Sequence, residues 1–167
     1  MNEPNLDKDH PGITALMCAI MSKGSIATQI LDKDDVNVNL QDKDGDTALI
    51  LAIDRNQPEI AKQILDRDDV DVNIQQKEGI TALIIAIDKN QPEIATKILD
   101  KDGVDVNLQD KDGGTALMLA IHRNQPEIAK QILDKDGVDI NLKNQHGATA
   151  LLVAIMKNQP EIATQIL

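Results

Sequence analysis

The stretch Asp42-Lys43-Asp44-Gly45-Asp46-Thr47-Ala48-Leu49, with Asn56-Gln57-Pro58-Glu59-Ile60-Ala61 behind it, is written repeatedly along this chain. Thr-Ala-Leu begins at Thr14, Thr47, Thr81, Thr115 and Thr149. Asn-Gln-Pro-Glu-Ile-Ala begins at Asn56, Asn90, Asn124 and Asn158, and Ser25-Ile26-Ala27 is a worn first copy. Clean copies lie 34 residues apart. Self-similarity at one fixed period of this size predicts a stacked array, in which each unit buries its apolar face only against its neighbours.

Working outward from the second copy, Gly45 marks a tight turn and Thr47 is placed to cap a short helix over residues 48–55. Leu49, Ala52 and Ile53 fall on one face of that helix. Asn56 stands where a left-handed residue ends it, and Pro58 where the first position of a second helix costs no amide bond. Glu59 favours the positive end of the second helix, whose apolar face is Ile60, Ala61, Ile64 and Leu65. Val70-Asp71-Val72-Asn73-Ile74 alternates with period two and predicts an extended segment leading to the next turn at Gly79. Helices this short are marginal alone and must be held by the units above and below.

Composition narrows the function. The chain has 167 residues, 17 basic and 28 acidic side chains and a formal charge of −11. Such acidity argues against nucleic acid, which needs clustered Lys and Arg. The absence of Phe, Tyr and Trp removes base-stacking platforms and the usual aromatic anchors of interfaces. No apolar run is long enough to cross a bilayer, so no membrane insertion is expected. The single cysteine, Cys18, cannot form an internal disulfide, and residues 1–9 lack the features of a signal peptide. These features predict an intracellular, cytoplasmic protein, with export as an effector the alternative.

Candidate chemistry fails on spacing. Asp-Lys-Asp-Gly recurs, but a calcium loop would need carboxylates where Leu40 and Leu51, or Leu108 and Leu119, stand. The acidic loops at 32–35, 66–69, 100–102 and 134–136 read as a solvated edge. His10 and His146 sit in the first and last units, too far apart to share an ion. Cys18 occupies the place of Leu51, Ile85, Leu119 and Val153, and reads as a packed small residue. Met17 and Met118 read as packed, Met21 and Met156 as exposed. No catalytic residue, cofactor site or metal site is expected.

Asp42-x-x-Gly45-x-Thr47-x-Leu49-x-x-Ala52, Glu59-Ile60, Ile64-Leu65 and Val70-Asp71-Val72-Asn73 together resemble the ankyrin repeat, a β-turn plus two antiparallel helices. Three departures stand out, one being that the first copy loses a residue around Ser22-Lys23-Gly24. The Thr-Pro-Leu-His signature appears as Thr-Ala-Leu-Ile, Thr-Ala-Leu-Met or Thr-Ala-Leu-Leu, and an extra residue sits in the Asp-Lys-Asp-Gly loop. The resemblance implies an all-α solenoid of about five helix-turn-helix repeats joined by β-turn or hairpin loops. A lead-in over 1–9 would precede repeats near 10–40, 41–74, 75–108, 109–142 and 143–167.

The resemblance also implies a non-enzymatic module that binds another protein through its concave face and turn tips. The alternative is a scaffold or targeting segment of a larger protein. The implied contact positions are the turn tips His10, Asp44, Glu78, Asp112 and His146. Beside them are the residues before each threonine, Ile13, Asp46, Ile80, Gly114 and Ala148. The ends of the first helices add Asp54, Asp88, His122 and Met156, each followed by a base, Arg55, Lys89, Arg123 and Lys157. Acidity gathers on units two and three, which suggests a partner with a basic segment and an apolar contact near His122 and Met156. The last unit keeps the internal apolar pattern, so the further expectation is either that the natural protein continues past Leu167 or that the uncapped C-terminal repeat self-associates.

Overall fold

The computed structural model describes residues 14–23, 25–33 and 35–167, and His10 and Ile13 lie outside them. The described residues form ten helices paired as five stacked units: α1 (Ala15–Met21) with α2 (Ile26–Leu31), α3 (Ala48–Asp54) with α4 (Pro58–Leu65), α5 (Ala82–Asp88) with α6 (Pro92–Leu99), α7 (Ala116–His122) with α8 (Pro126–Leu133), and α9 (Ala150–Met156) with α10 (Pro160–Ile166). Odd-numbered helices pack on odd, and even on even. The fold is therefore all-helical and stacked in chain order.

The local grammar follows the side chains. Each of Thr14, Thr47, Thr81, Thr115 and Thr149 caps its helix by accepting from the amide three residues on, as at Thr47 Oγ1 from Ile50 N (3.3 Å). Asn56, Asn90, Asn124 and Asn158 take left-handed conformations with φ of 53–57°, and Lys23 does so in the worn first unit. Gln57 N then donates to Ala52 O at 2.9 Å, closing the helix end. Proline opens α4, α6, α8 and α10; α2, which has no proline, is the shortest helix at six residues.

Two expectations change. Residues 48–53 of α3 are buried all round rather than on one face, because units above and below cover what α4 does not. The alternating stretch 70–74 does not form a strand. It turns at Val72-Asn73, where the Asp71 carboxylate accepts from Asn73 N at 2.9 Å, while Val72 is still buried.

Amide side chains stitch the layers. Gln57, Gln91, Gln125 and Gln159 each reach back one unit, donating to the carbonyls of Ile20, Ile53, Ile87 and Ile121 at 2.6–2.8 Å. On the loop side, Asn39 Nδ2 donates to Asp69 O (2.7 Å) and its oxygen accepts from Asp71 N (2.9 Å); Asn73 and Asn107 repeat this. The isoleucine carbonyls at the ends of the inner helices are thus paired across the layers, while the buried Oε1 of Gln91, Gln125 and Gln159 has no partner among the described residues.

Ala52, Ala86, Ala120 and Ala154 are fully buried in one column of the inner helices. Overpacking this column is expected to be costly: Ala86→Leu should lose about 1–3 kcal/mol, read as a lower urea midpoint.

Candidate functional site: the turn tips and inner helices

Each tip is folded by its own acidic or amide side chain. Asp42 Oδ1 accepts from the amides of Asp44 and Asp46, both at 2.9 Å. Asp110 does the same for Asp112 (2.9 Å) and Gly114 (2.7 Å), and Asn144 for His146 and Ala148 (both 3.0 Å). Neighbouring tips are hydrogen-bonded in a row: Lys77 N to Asp44 O (3.0 Å), Lys111 N to Glu78 O (2.8 Å) and Gln145 N to Asp112 O (2.7 Å). Gln41, Gln75 and Gln109 reinforce it, each donating to its own tip and to the next, as Gln75 Nε2 does to Gly79 O (2.7 Å) and Gln109 O (2.9 Å). This cross-linking holds the tips without the signature histidine.

The row therefore brings Asp44, Glu78, Asp112 and His146 into register, all exposed. Asp46 and Ile80 are half-buried and Ala148 is buried, so the residues before the threonines form the floor rather than the rim. Asp54, Asp88, His122 and Met156 are exposed at the ends of the inner helices, Met156 by 74%. The bases beside them are not idle. Lys89 Nζ lies 2.8 Å from Asp54, whose other oxygen is 3.8 Å from Arg55, and Arg123 pairs with Asp88. Lys111 pairs with Glu78. The same register puts His122 opposite Lys157, which forms no ion pair among the described residues.

The acidity of units two and three is accordingly uneven. Asp54, Asp88 and Glu78 are neutralised by the following unit, whereas Asp44, Asp46 and Asp112 have no ion pair among the described residues. Burial, and then repulsion from Asp42, Asp44 and Asp54, raises the Asp46 carboxyl above its usual range. Lys89 is pushed up by its hydrogen bond to Asp54.

A raised folded-state pKa means that ionised Asp46 opposes folding above that pKa, and that the penalty is relieved as pH falls toward the unfolded value. Asp46→Asn should therefore raise the thermal midpoint at pH 7, with the advantage shrinking as pH falls toward about 4 and gone below it. A parallel pair of melting curves across pH checks this.

Between tips and inner helices on units three to five lies a hollow of about 190 Å³. Ile84, Met118, Leu119 and Val153 provide its apolar surface, and Asp110, Gly114, His122 and Asn144 also border it. Gly114, the smallest member of the row Asp46, Ile80, Gly114, Ala148, was its one sequence signal; the roles of Leu119 and Val153 were not visible there. Cys18, in the same column, is half-buried rather than fully packed.

On the loop edge, bases of the next unit offset Asp66 and the end of α4. Lys97 Nζ lies 2.6 Å from Asp66, and Lys101 Nζ donates to Leu65 O (3.2 Å) and Arg67 O (3.0 Å), the end of α4. Among the described residues, no three His, Cys, Asp or Glu side chains are grouped to hold a metal ion, and no helix is long and apolar enough to cross a membrane.

Stacked helix pairs with a hydrogen-bonded row of tips define a repeat protein of the solenoid class. Residues 1–76, 57–144 and 83–167 each match the family of ankyrin repeats, and the chain belongs to that family. Its repeats typically mediate protein–protein interactions and are usually non-catalytic. No curated protein matches the chain.

Proposed function

We propose that this chain is a non-enzymatic module that binds another protein along the concave groove between its turn tips and inner helices. The row of tips supports the reading: a rigid, cross-linked edge stands beside exposed helix ends, so a partner segment meets a preorganised surface. Its charge favours a basic segment over Asp44, Asp46 and Asp112, whose carboxylates have no ion pair among the described residues, and an apolar contact near His122 and Met156.

The test is position-specific photo-crosslinking in extracts of the native host. Crosslinkers at Asp44, His122 and Met156 are expected to capture one common protein, and crosslinkers at exposed Glu59 and Glu127 of the outer helices are not. Capture from the outer helices alone overturns the reading. With that partner in hand, reversing Asp44 and Asp112 to Lys should slow association, and Met156→Ala should speed dissociation.

A second surface supports a second reading, self-association through the last unit. Leu152 and Ile155 are 44% and 62% exposed, although Ile20, Ile53, Ile87 and Ile121, in the column of Ile155, are fully buried. Sedimentation should then show a concentration-dependent dimer that Ile155→Glu abolishes.

A further inference from the structure

The hollow beside Gly114 combines three features that no other unit from the second to the fifth brings together. It has an apolar wall of Met118, Leu119 and Val153. It has a carboxylate: Asp110 uses Oδ1 for both tip amides, while Oδ2 has no partner among the described residues. And it has a bare Cα: a Cβ built on Gly114 would stand 2.9 Å from Asp110 Oδ2, so the free oxygen lies over the space a side chain would fill. In the second unit Asp42 is present, but Asp46 fills that space. In the third, Gln76 replaces the carboxylate and Ile80 the glycine; in the fifth, Asn144 and Ala148 do so.

At about 190 Å³ the hollow falls below the roughly 300–1,000 Å³ of small-molecule sites, and suits one side chain. The nearby bases do not neutralise it, since Arg123 is engaged by Asp88 and Lys111 by Glu78. An aliphatic stem ending in a cation meets both the apolar wall and the free oxygen. A single available oxygen offers no bidentate partner to a guanidinium fork, which favours a point charge.

We propose that this hollow receives a lysine side chain of the bound protein, its stem on Met118, Leu119 and Val153 and its ammonium on Asp110 Oδ2. The proposal rests on the groove reading above and names the chemistry of one contact within it.

The test uses the whole chain and defined peptides. An alanine pentapeptide with a central lysine is titrated while the methyl resonances of Met118, Leu119 and Val153 are followed by NMR. Saturable shifts at these methyls are expected, weaker by roughly tenfold in Asp110→Asn because a charge-assisted bond is lost. Gly114→Ala should abolish them, because its Cβ would stand over Asp110 Oδ2 and keep the ammonium from it. Both variants copy the fifth unit, where Asn144 and Ala148 already form the same tip, and circular dichroism melts verify folding. A norleucine peptide of the same length should shift the methyls far less. Absent shifts, equal shifts with norleucine, or undiminished affinity in Asp110→Asn would each overturn the proposal. Crosslinking that still maps to Asp44, His122 and Met156 would then leave the groove as the binding surface and remove only the lysine site.

Discussion

Gly79→Ala is expected to cost about 2–4 kcal/mol, and Gly147→Ala, the same turn position two units later, only about 1 kcal/mol. Both glycines are left-handed, with φ of +77° and +73°. A side chain at either bears the same conformational strain. The difference is what lies beyond. A Cβ on Gly79 would stand 2.9 Å from Asp110 Cα and 3.1 Å from Gln109 O, backbone atoms of the next tip, whereas nothing lies within 4 Å of one on Gly147. The next tip is also tied in place by Lys111 N to Glu78 O at 2.8 Å, so it cannot simply move aside. Chemical denaturation of the two variants measures the gap. Equal losses would mean that local strain alone is felt and that the tips are not closely stacked.

The second large effect is in the core. Ile87→Ala should lose about 2–5 kcal/mol, since its side chain is fully buried between layers and the cavity cannot collapse against helices held on both sides. Ile155→Ala, in the same column two units on, should change stability by less than about 0.5 kcal/mol, because that side chain is 62% exposed. Urea midpoints at equal m-values read both. A large loss at Ile155 would show that this end of the stack is covered in solution, which the self-association reading also requires; repeating the measurement at low concentration separates the two.

Much of this architecture was legible because each device is local and repeats. The threonine caps, the left-handed asparagines and the helix-opening prolines depend on a few neighbouring residues, and all occur where the 34-residue pattern places them. The misreading of residues 70–74 has the same root seen from the other side. Alternation of Val72 with polar neighbours looks like a strand, but the Asp71 carboxylate turns the chain and Asn73 bonds to the next unit instead of a strand partner.

The candidate site was legible as rows of positions, not as chemistry. From the sequence, Asp54 and Asp88 counted toward an acidic surface as fully as Asp44 did. In the folded chain Lys89 and Arg123 arrive from the next unit and neutralise them, while Asp44 has no ion pair among the described residues. The hollow at Gly114 likewise needs Val153 and Asn144 of the following unit to close it. By itself the sequence determined the period, the order of helices and turns, and which residues cap and end them, because those depend on contacts within a few residues. The tertiary structure alone decided which charges remain free and where the groove opens. Both depend on side chains about 34 residues apart meeting across the layers, and a row of residues carries no distances.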